Sequence, residues 1–302
     1  PPGSTYKPFM ALAALETGKR TPSQSISDPG FFTFGNHTFR DDKVGGHGSV
    51  DMAKSIVESC DTYYYHLARD MGVNMMHDFM KPLGFGQITG IDLEGEVRGI
   101  LPSTAWKERS FKKPEQQKWF EGETISLGIG QGYNSFSILQ LAHATANLAN
   151  QGVVMKPHLV KSIEDPISKE RTLTTPKESY RIPLKKENID VITNAMLDVN
   201  RFGTSAAAFK GASYNAAGKT GTAQVFSLNS KSYSHGSTPE FLRDHALYIV
   251  FAPAEKPKIA IAMVVENAGF GAAQAAPIAR KALDYYIEGR WPKEIPEWKN
   301  AP

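Results

Sequence analysis

The stretch "PPGSTYKPF" places a serine at position 4 and a lysine at position 7. Gly3 lets the backbone approach a neighbour closely, and Pro8 is tolerated in the first turn of a helix, so a helix start is predicted here. The apolar run from Phe9 to Leu15 extends that helix to a stop at Gly18. Residues three apart share one helix face, so the hydroxyl of Ser4 and the amine of Lys7 are expected side by side. A serine hydroxyl is a poor nucleophile until an adjacent base takes its proton, and an amine can act as that base only when neutral. Burial and a nearby like charge both favour a neutral lysine. Lys219 in "KTG" is the candidate for that charge, and "SCD" at 59–61 adds a second hydroxyl and a carboxylate. Each string alone is common: Ser4 and Ser59 also read as helix caps, and "KTG" as a turn. Together they bring two hydroxyls, two amines and a carboxylate, groups that a serine-based acyl transfer could use.

Composition limits the alternatives. A chain of 302 residues with 41% hydrophobic content can bury a sizeable core. Its net charge of +3 is small and dispersed, without the basic block that tracks phosphates, so no nucleic-acid partner is expected. "GIGQGY" at 128–133 resembles a phosphate cradle, but no lysine follows at the P-loop position. One cysteine, Cys60, excludes an internal disulfide.

The elements that must position these groups follow from pattern. Residues 20–48 are rich in Gly, Pro, Ser and Asp and read as irregular. Stretches 50–58 and 62–71 read as helices with "SCD" at their junction and Gly72 as a stop. Residues 84–123, punctuated by Gly and Pro, are expected to wander over the surface. Ile138, Leu141, Thr145 and Leu148 recur at helical spacing, which makes 135–150 a core helix. Runs 219–226, 246–253 and 258–267 read as strands, the last two as antiparallel neighbours. A helix over 272–289 closes the chain, with Pro277 in its first turn or bending it. The fold class is therefore α+β, an antiparallel sheet covered by helices. Tyr63, Tyr64 and Tyr65 read as helix packing, and His66, His77, His143 and His158 as surface or satisfied core residues.

"PPGSTYKP", "SCDTYYYHLA", "GIGQGY" and "GKTGTAQVF" together resemble the transpeptidase domain of class B penicillin-binding proteins, of the elongation type, over residues 1 to about 290. The resemblance implies a penicillin-binding, serine β-lactamase-like fold with a five-stranded sheet. It also implies a periplasmic domain of an inner membrane protein, preceded by strands, a pedestal domain and a membrane-anchoring helix. The implied reaction cross-links peptidoglycan stem peptides through an acyl-Ser4 intermediate that β-lactams mimic. Lys7 is then the base, Ser59 the proton relay, and the N–H groups of Ser4 and Thr222 the oxyanion hole. Lys219, Thr220 and Thr222 would hold the terminal carboxylate, with Gly221 letting the strand lie close to the substrate. Asp61 stands where the family commonly has asparagine; a carboxylate only accepts hydrogen bonds, which points to an electrostatic and structural role. The implied partners are the glycan polymerase RodA and the scaffold MreC. A class D-like β-lactamase and a β-lactam sensor share Ser-x-x-Lys, but Tyr-Gly-Asn does not replace "SCD", and "PPGST" followed by Pro8 favours the synthase.

Cys60 reads either as a buried thiol or as a metal ligand. Asp28, Asp41, Asp42 and His47 precede it, and thiolate, imidazole and carboxylate together suit Zn²⁺. The resemblance implies a structural zinc on Asp28, Asp41, His47 and Cys60, with Asp42 as alternate carboxylate, and no cofactor for catalysis.

Overall fold

The computed structural model describes residues 1–224 and 238–293. Ser4 lies in a single 3-10 turn, Gly3–Tyr6, that runs directly into helix α1 (Lys7–Glu16), with Pro8 in its first turn. Every residue of α1 from Lys7 to Leu15 is buried, as expected of a helix apolar on all sides. It is a central post of the fold.

Residues 20–48 differ from expectation. They form strands β1 (Ile26–Asp28), β2 (Phe31–Phe34), β3 (His37–Arg40) and β4 (Gly48–Val50), with β1 pairing β4 and β2 pairing β3, both antiparallel. The two-residue turn Gly35-Asn36 joins "FFTF" to "HTFR", a hairpin signal that the surrounding polar residues obscure. Helix α2 (Met52–Val57) is capped by Asp51, whose side chain accepts from the Lys54 N–H. Helix α3 (Asp61–Met80) does not stop at Gly72: it kinks there, at φ 73° and ψ 160°, and continues because Val73, Met76 and Met80 carry its buried face onward. Tyr63, Tyr64 and Tyr65 are all buried.

The stretch 84–123 also holds more structure than its glycines suggest. It contains α4 (Thr104–Ser110), α5 (Pro114–Gln117) and the start of α6 (Glu121–Leu127). Ser103 caps α4 and Pro114 opens α5, both ordinary start signals. Helix α7 (Ile138–Ala149) stands where periodicity places it, with Ser137 and Gln140 forming a capping box. Strands β5 (Val153–Met155) and β8 (Glu178–Arg181) pair, as do β6 (Ser162–Glu164) and β7 (Arg171–Leu173). Helices α8 (Lys186–Arg201) and α9 (Ala206–Phe209) follow.

Strands β9 (Ala217–Ala223), β10 (His245–Ala252) and β11 (Ile259–Val265) form an antiparallel sheet in the order β11-β10-β9. It has three strands among the described residues, where the resemblance implies five for an intact domain. Val225 and Phe226, the end of the expected first strand, lie outside the described residues. Side chains of β10 alternate between two cores, as strand geometry requires. Leu247, Ile249 and Phe251 join the core that contains α1, whereas Ala246, Tyr248 and Val250 meet Ala275, Ala276 and Ala279 of helix α10 (Gly271–Glu288). Pro277 sits in the second turn of α10, not the first. No helix among the described residues is long and apolar enough to cross a membrane.

Candidate active site and candidate metal centre

Strand β9 is an edge of its sheet, and the edge faces the 3-10 turn that carries Ser4. A Cβ on Gly3, at φ 53°, would stand 2.4 Å from Thr222 O and 3.3 Å from Thr222 N, so only glycine permits this approach. The Thr222 carbonyl turns toward the Ser4 turn, and because the N–H and C=O of one strand residue point to the same side, the Thr222 N–H faces that edge too. Gly221, which lines the cavity, also bears on how the turn is seated. A Cβ there would meet Thr5 and the Pro2 carbonyl, so its bareness seats the Ser4 turn against the strand.

A cavity of about 360 Å³ opens along this seam, lined by Ser4, Ser59, Asp61, Thr220, Gly221 and Thr222 among others. Lys7 and Lys219 are fully buried beneath it. Lys7 Nζ donates to Ser59 O at 2.5 Å, to Asp61 Oδ1 at 2.6 Å and to Ser59 Oγ at 3.2 Å. Lys219 Nζ donates to the same Ser59 Oγ at 2.8 Å and to Thr220 O at 3.2 Å. One hydroxyl thus joins two buried amines. Burial, and then the charge of Lys7, holds the Lys219 amine well below the usual lysine range. Burial pushes the Asp61 carboxyl up, and the neighbouring Lys7 charge opposes that rise.

Sequence spacing led to an expected Ser4–Lys7 pair. Among the hydrogen bonds of the described residues none joins these two side chains, because the donors of Lys7 are taken by Ser59 and Asp61. Ser59 itself has φ 62°, uncommon for a residue with a Cβ, and this turns its carbonyl and hydroxyl together onto Lys7. Such strain, about 1–3 kcal/mol, persists only where the surroundings hold it.

Those surroundings include the second cluster. Asp28, Asp41, His47 and Cys60 are all buried, and one ligand atom from each lies within 4.8 Å of the others. Asp28 Oδ2 is 2.8 Å from His47 Nδ1, and Cys60 Sγ is 3.4 Å from both Asp28 Oδ2 and Asp41 Oδ2. Each residue comes from an element end: Asp28 closes β1, Asp41 follows β3, His47 precedes β4 and Cys60 caps α3. Burial first, and the Asp41 charge next, push the Cys60 thiol far up. Asp42 is not part of this cluster; it lines the catalytic cavity instead.

Sequence reasoning missed Gln131 and Thr204, which also line the cavity. Gln131 Nε2 donates to Thr222 O at 3.3 Å, and Gly3 N donates to Gly130 O at 3.1 Å, so "GIGQGY" packs on the Ser4 turn. Its glycine pattern was the available signal. None of His66, His77, His143 or His158 lines the cavity.

The description "Penicillin binding protein transpeptidase domain" matches residues 1–284. The peptidoglycan D,D-transpeptidase MrdA of Haemophilus influenzae is 41% identical over 303 aligned positions, which cover 97% of this chain and 45% of that protein. The chain therefore spans less than half of that relative's length. Among solved structures, Pseudomonas aeruginosa PBP2 in complex with WCK 5153 superposes with a TM-score of 0.82 at 38% identity, covering 98% of this chain and 64% of that one. Helicobacter pylori PBP2 in its complex with MreC gives 0.78 at 30%, covering 96% and 50%. A serine turn, an Asp-paired lysine and a lysine-bearing strand edge that meet at one cavity, in a chain matched along nearly its whole length, lead to one conclusion: the chain belongs to the penicillin-binding protein transpeptidase domain family.

Proposed function

We propose that the chain is the transpeptidase domain of a peptidoglycan D,D-transpeptidase acting in cell elongation, with Ser4 as nucleophile. The bridging of Lys7 and Lys219 by Ser59 Oγ, beside Ser4 in one cavity, carries this reading. Ser4 Oγ attacks the acyl donor's carbonyl while its proton passes to Lys7, which first hands one proton across its 2.6 Å contact to the Asp61 carboxylate and so frees a lone pair for Ser4. Collapse expels the leaving amine, which takes the proton through Ser59, and the amine of a second stem peptide then attacks the acyl-Ser4 carbonyl. The N–H groups of Ser4, at the start of its turn, and of Thr222, on the open strand edge, are the donors for the oxyanion. Lys219 and Thr220 receive the donor's carboxylate, and the donor lies along β9 as an added strand. The similarity to a PBP2 that forms a complex with MreC supports a periplasmic, membrane-anchored assembly with MreC and RodA. Recovery of the full-length protein from membranes with MreC bound tests that assembly.

The full-length protein labelled with a fluorescent penicillin is expected to hold the acyl group on Ser4 for many minutes. Loss within seconds is the behaviour of a β-lactamase and would overturn the transpeptidase reading. A protein that labels durably but fails to cross-link stem peptides would be a sensor.

The buried cluster fits a structural zinc. Tetrahedral ligands about 2.0–2.3 Å from an ion lie roughly 3.3–3.8 Å apart, and the sulfur–carboxylate spacings fall in that range. Two carboxylates and a thiol packed together also call for a cation. A zinc there would tie the β1–β4 ribbon to the start of α3 and so hold Ser59 in its left-handed conformation. Chelation is expected to lower the melting temperature of the wild-type protein by several degrees and to leave Cys60→Ser unaffected, since bound metal adds directly to folding stability. Metal analysis of chelator-free preparations with well under one zinc per chain, together with unchanged melting, would leave Cys60 a plain buried thiol.

A further inference from the structure

Two threonine hydroxyls meet in the catalytic cavity. Thr204 Oγ1 and Thr220 Oγ1 are 2.7 Å apart, and both residues line the cavity. Thr204 belongs to "FGTS", in the turn between α8 and α9, far in sequence from every string that suggested chemistry. The turn is clamped immediately beyond it. Ser205 Oγ is 2.5 Å from Asn200 Oδ1, which also accepts from Tyr248 OH at 2.6 Å, while Asn200 Nδ2 donates to the Ala216 carbonyl at 2.7 Å. All three side chains of this network are buried. A satisfied buried network is rigid, and this one bolts the Thr204 turn to the residue before β9 and to Tyr248 of β10, the register partner of Thr220.

A hydroxyl has one proton and two lone pairs, whereas a carboxylate only accepts. If Thr220 spent its proton on Thr204, it would present lone pairs to an incoming carboxylate and repel it. The pair works for an anionic acyl donor in one direction only, with Thr204 donating to Thr220.

We propose that Thr204 is a positioning residue for the acyl donor's carboxylate: its hydroxyl donates to Thr220 Oγ1 and thereby commits the Thr220 proton to that carboxylate. This rests on the transpeptidase reading above. Thr204 acts through Thr220 and sets binding of the anionic end, not the attack by Ser4.

The test compares acylation of the full-length protein by benzylpenicillin and by its methyl ester, which lacks the anionic carboxylate, in wild type, Thr204→Ser and Thr204→Val. A hydrogen bond that supports a charged contact is worth about tenfold in binding. Thr204→Val should therefore bind benzylpenicillin about tenfold more weakly, with the limiting acylation rate nearly unchanged. Thr204→Ser should recover to within about twofold of wild type, and the ester should lose less than about twofold in either variant. If Thr204→Val disturbs melting, Thr204→Ala, which adds no methyl clash, must give the same split. Equal losses on penicillin and ester, or a Thr204→Val protein within twofold of wild type on penicillin, would overturn the proposal. A wild-type protein that is not labelled at Ser4 would instead overturn the reading on which it rests.

Discussion

Ser4→Ala is expected to abolish covalent labelling by penicillin without unfolding the protein. The 3-10 turn that carries Ser4 is entered at Pro2 without a side-chain cap, so the Ser4 hydroxyl holds no part of the turn in place. What seats the turn is the bareness of Gly3 against Thr222 and of Gly221 against Thr5, whose own Oγ1 donates to the Pro2 carbonyl at 2.6 Å. Removing the hydroxyl therefore costs under about 1 kcal/mol, within the range of ordinary surface changes. The proposed chemistry, by contrast, loses its nucleophile. Ser59 is the informative rival, because it already touches both buried amines. Stoichiometric labelling that persists in Ser4→Ala and maps to Ser59 by peptide mass would reverse the two assignments. Mass spectrometry of the intact protein, with melting as a control, decides the matter.

Lys219→Ala should slow acylation by penicillin roughly 30- to 1000-fold, the equivalent of about 2–4 kcal/mol for loss of a desolvated charged partner. Two losses combine. The Ser59 hydroxyl loses its 2.8 Å donor, and an incoming carboxylate loses its cation. Burial and the Lys7 charge disfavour the Lys219 ammonium. A carboxylate entering beside it supplies the missing counter-charge, so binding and protonation of Lys219 reinforce each other. Lys219→Met keeps the aliphatic stem and fills the buried volume, which separates the electrostatic loss from a packing defect. Both variants should be slow. Acylation within threefold of wild type in Lys219→Met, measured by stopped-flow with the melting temperature unchanged, would remove Lys219 from the site.

Much of the fold was legible because local pattern and burial coincide there. The α1 run, the helical spacing of α7, the strands near the end and the closing helix were legible, since continuous apolar runs or regular apolar spacing coincide there with burial. The elements that escaped are those whose signals are shorter than their punctuation. The β2–β3 hairpin is held by a two-residue turn inside a polar stretch, and α4 to α6 are only four to seven residues long each. Gly72 looked like a terminator because nothing local announces that Met76 and Met80 rejoin the core.

The sequence by itself supplied the groups that acyl transfer could use, since Ser-x-x-Lys, "SCD" and "KTG" bring two hydroxyls, two amines and a carboxylate, while their separate roles come from the family resemblance. It also placed a thiol, an imidazole and carboxylates within reach of one another along the chain. Tertiary structure decided what each group is bonded to. Spacing on a helix turn predicts proximity of Ser4 and Lys7, but a carboxylate and a carbonyl brought in from α3 and its preceding turn compete for the same amine and win. It likewise sorted Asp41 into the buried cluster and Asp42 into the cavity, because adjacent residues at a strand end point in different directions. Thr204 carries no motif, and it meets Thr220 only because a buried Ser205–Asn200–Tyr248 network ties a helix turn to two strands. Contacts of that kind depend on residues distant in sequence, and no local spacing encodes them.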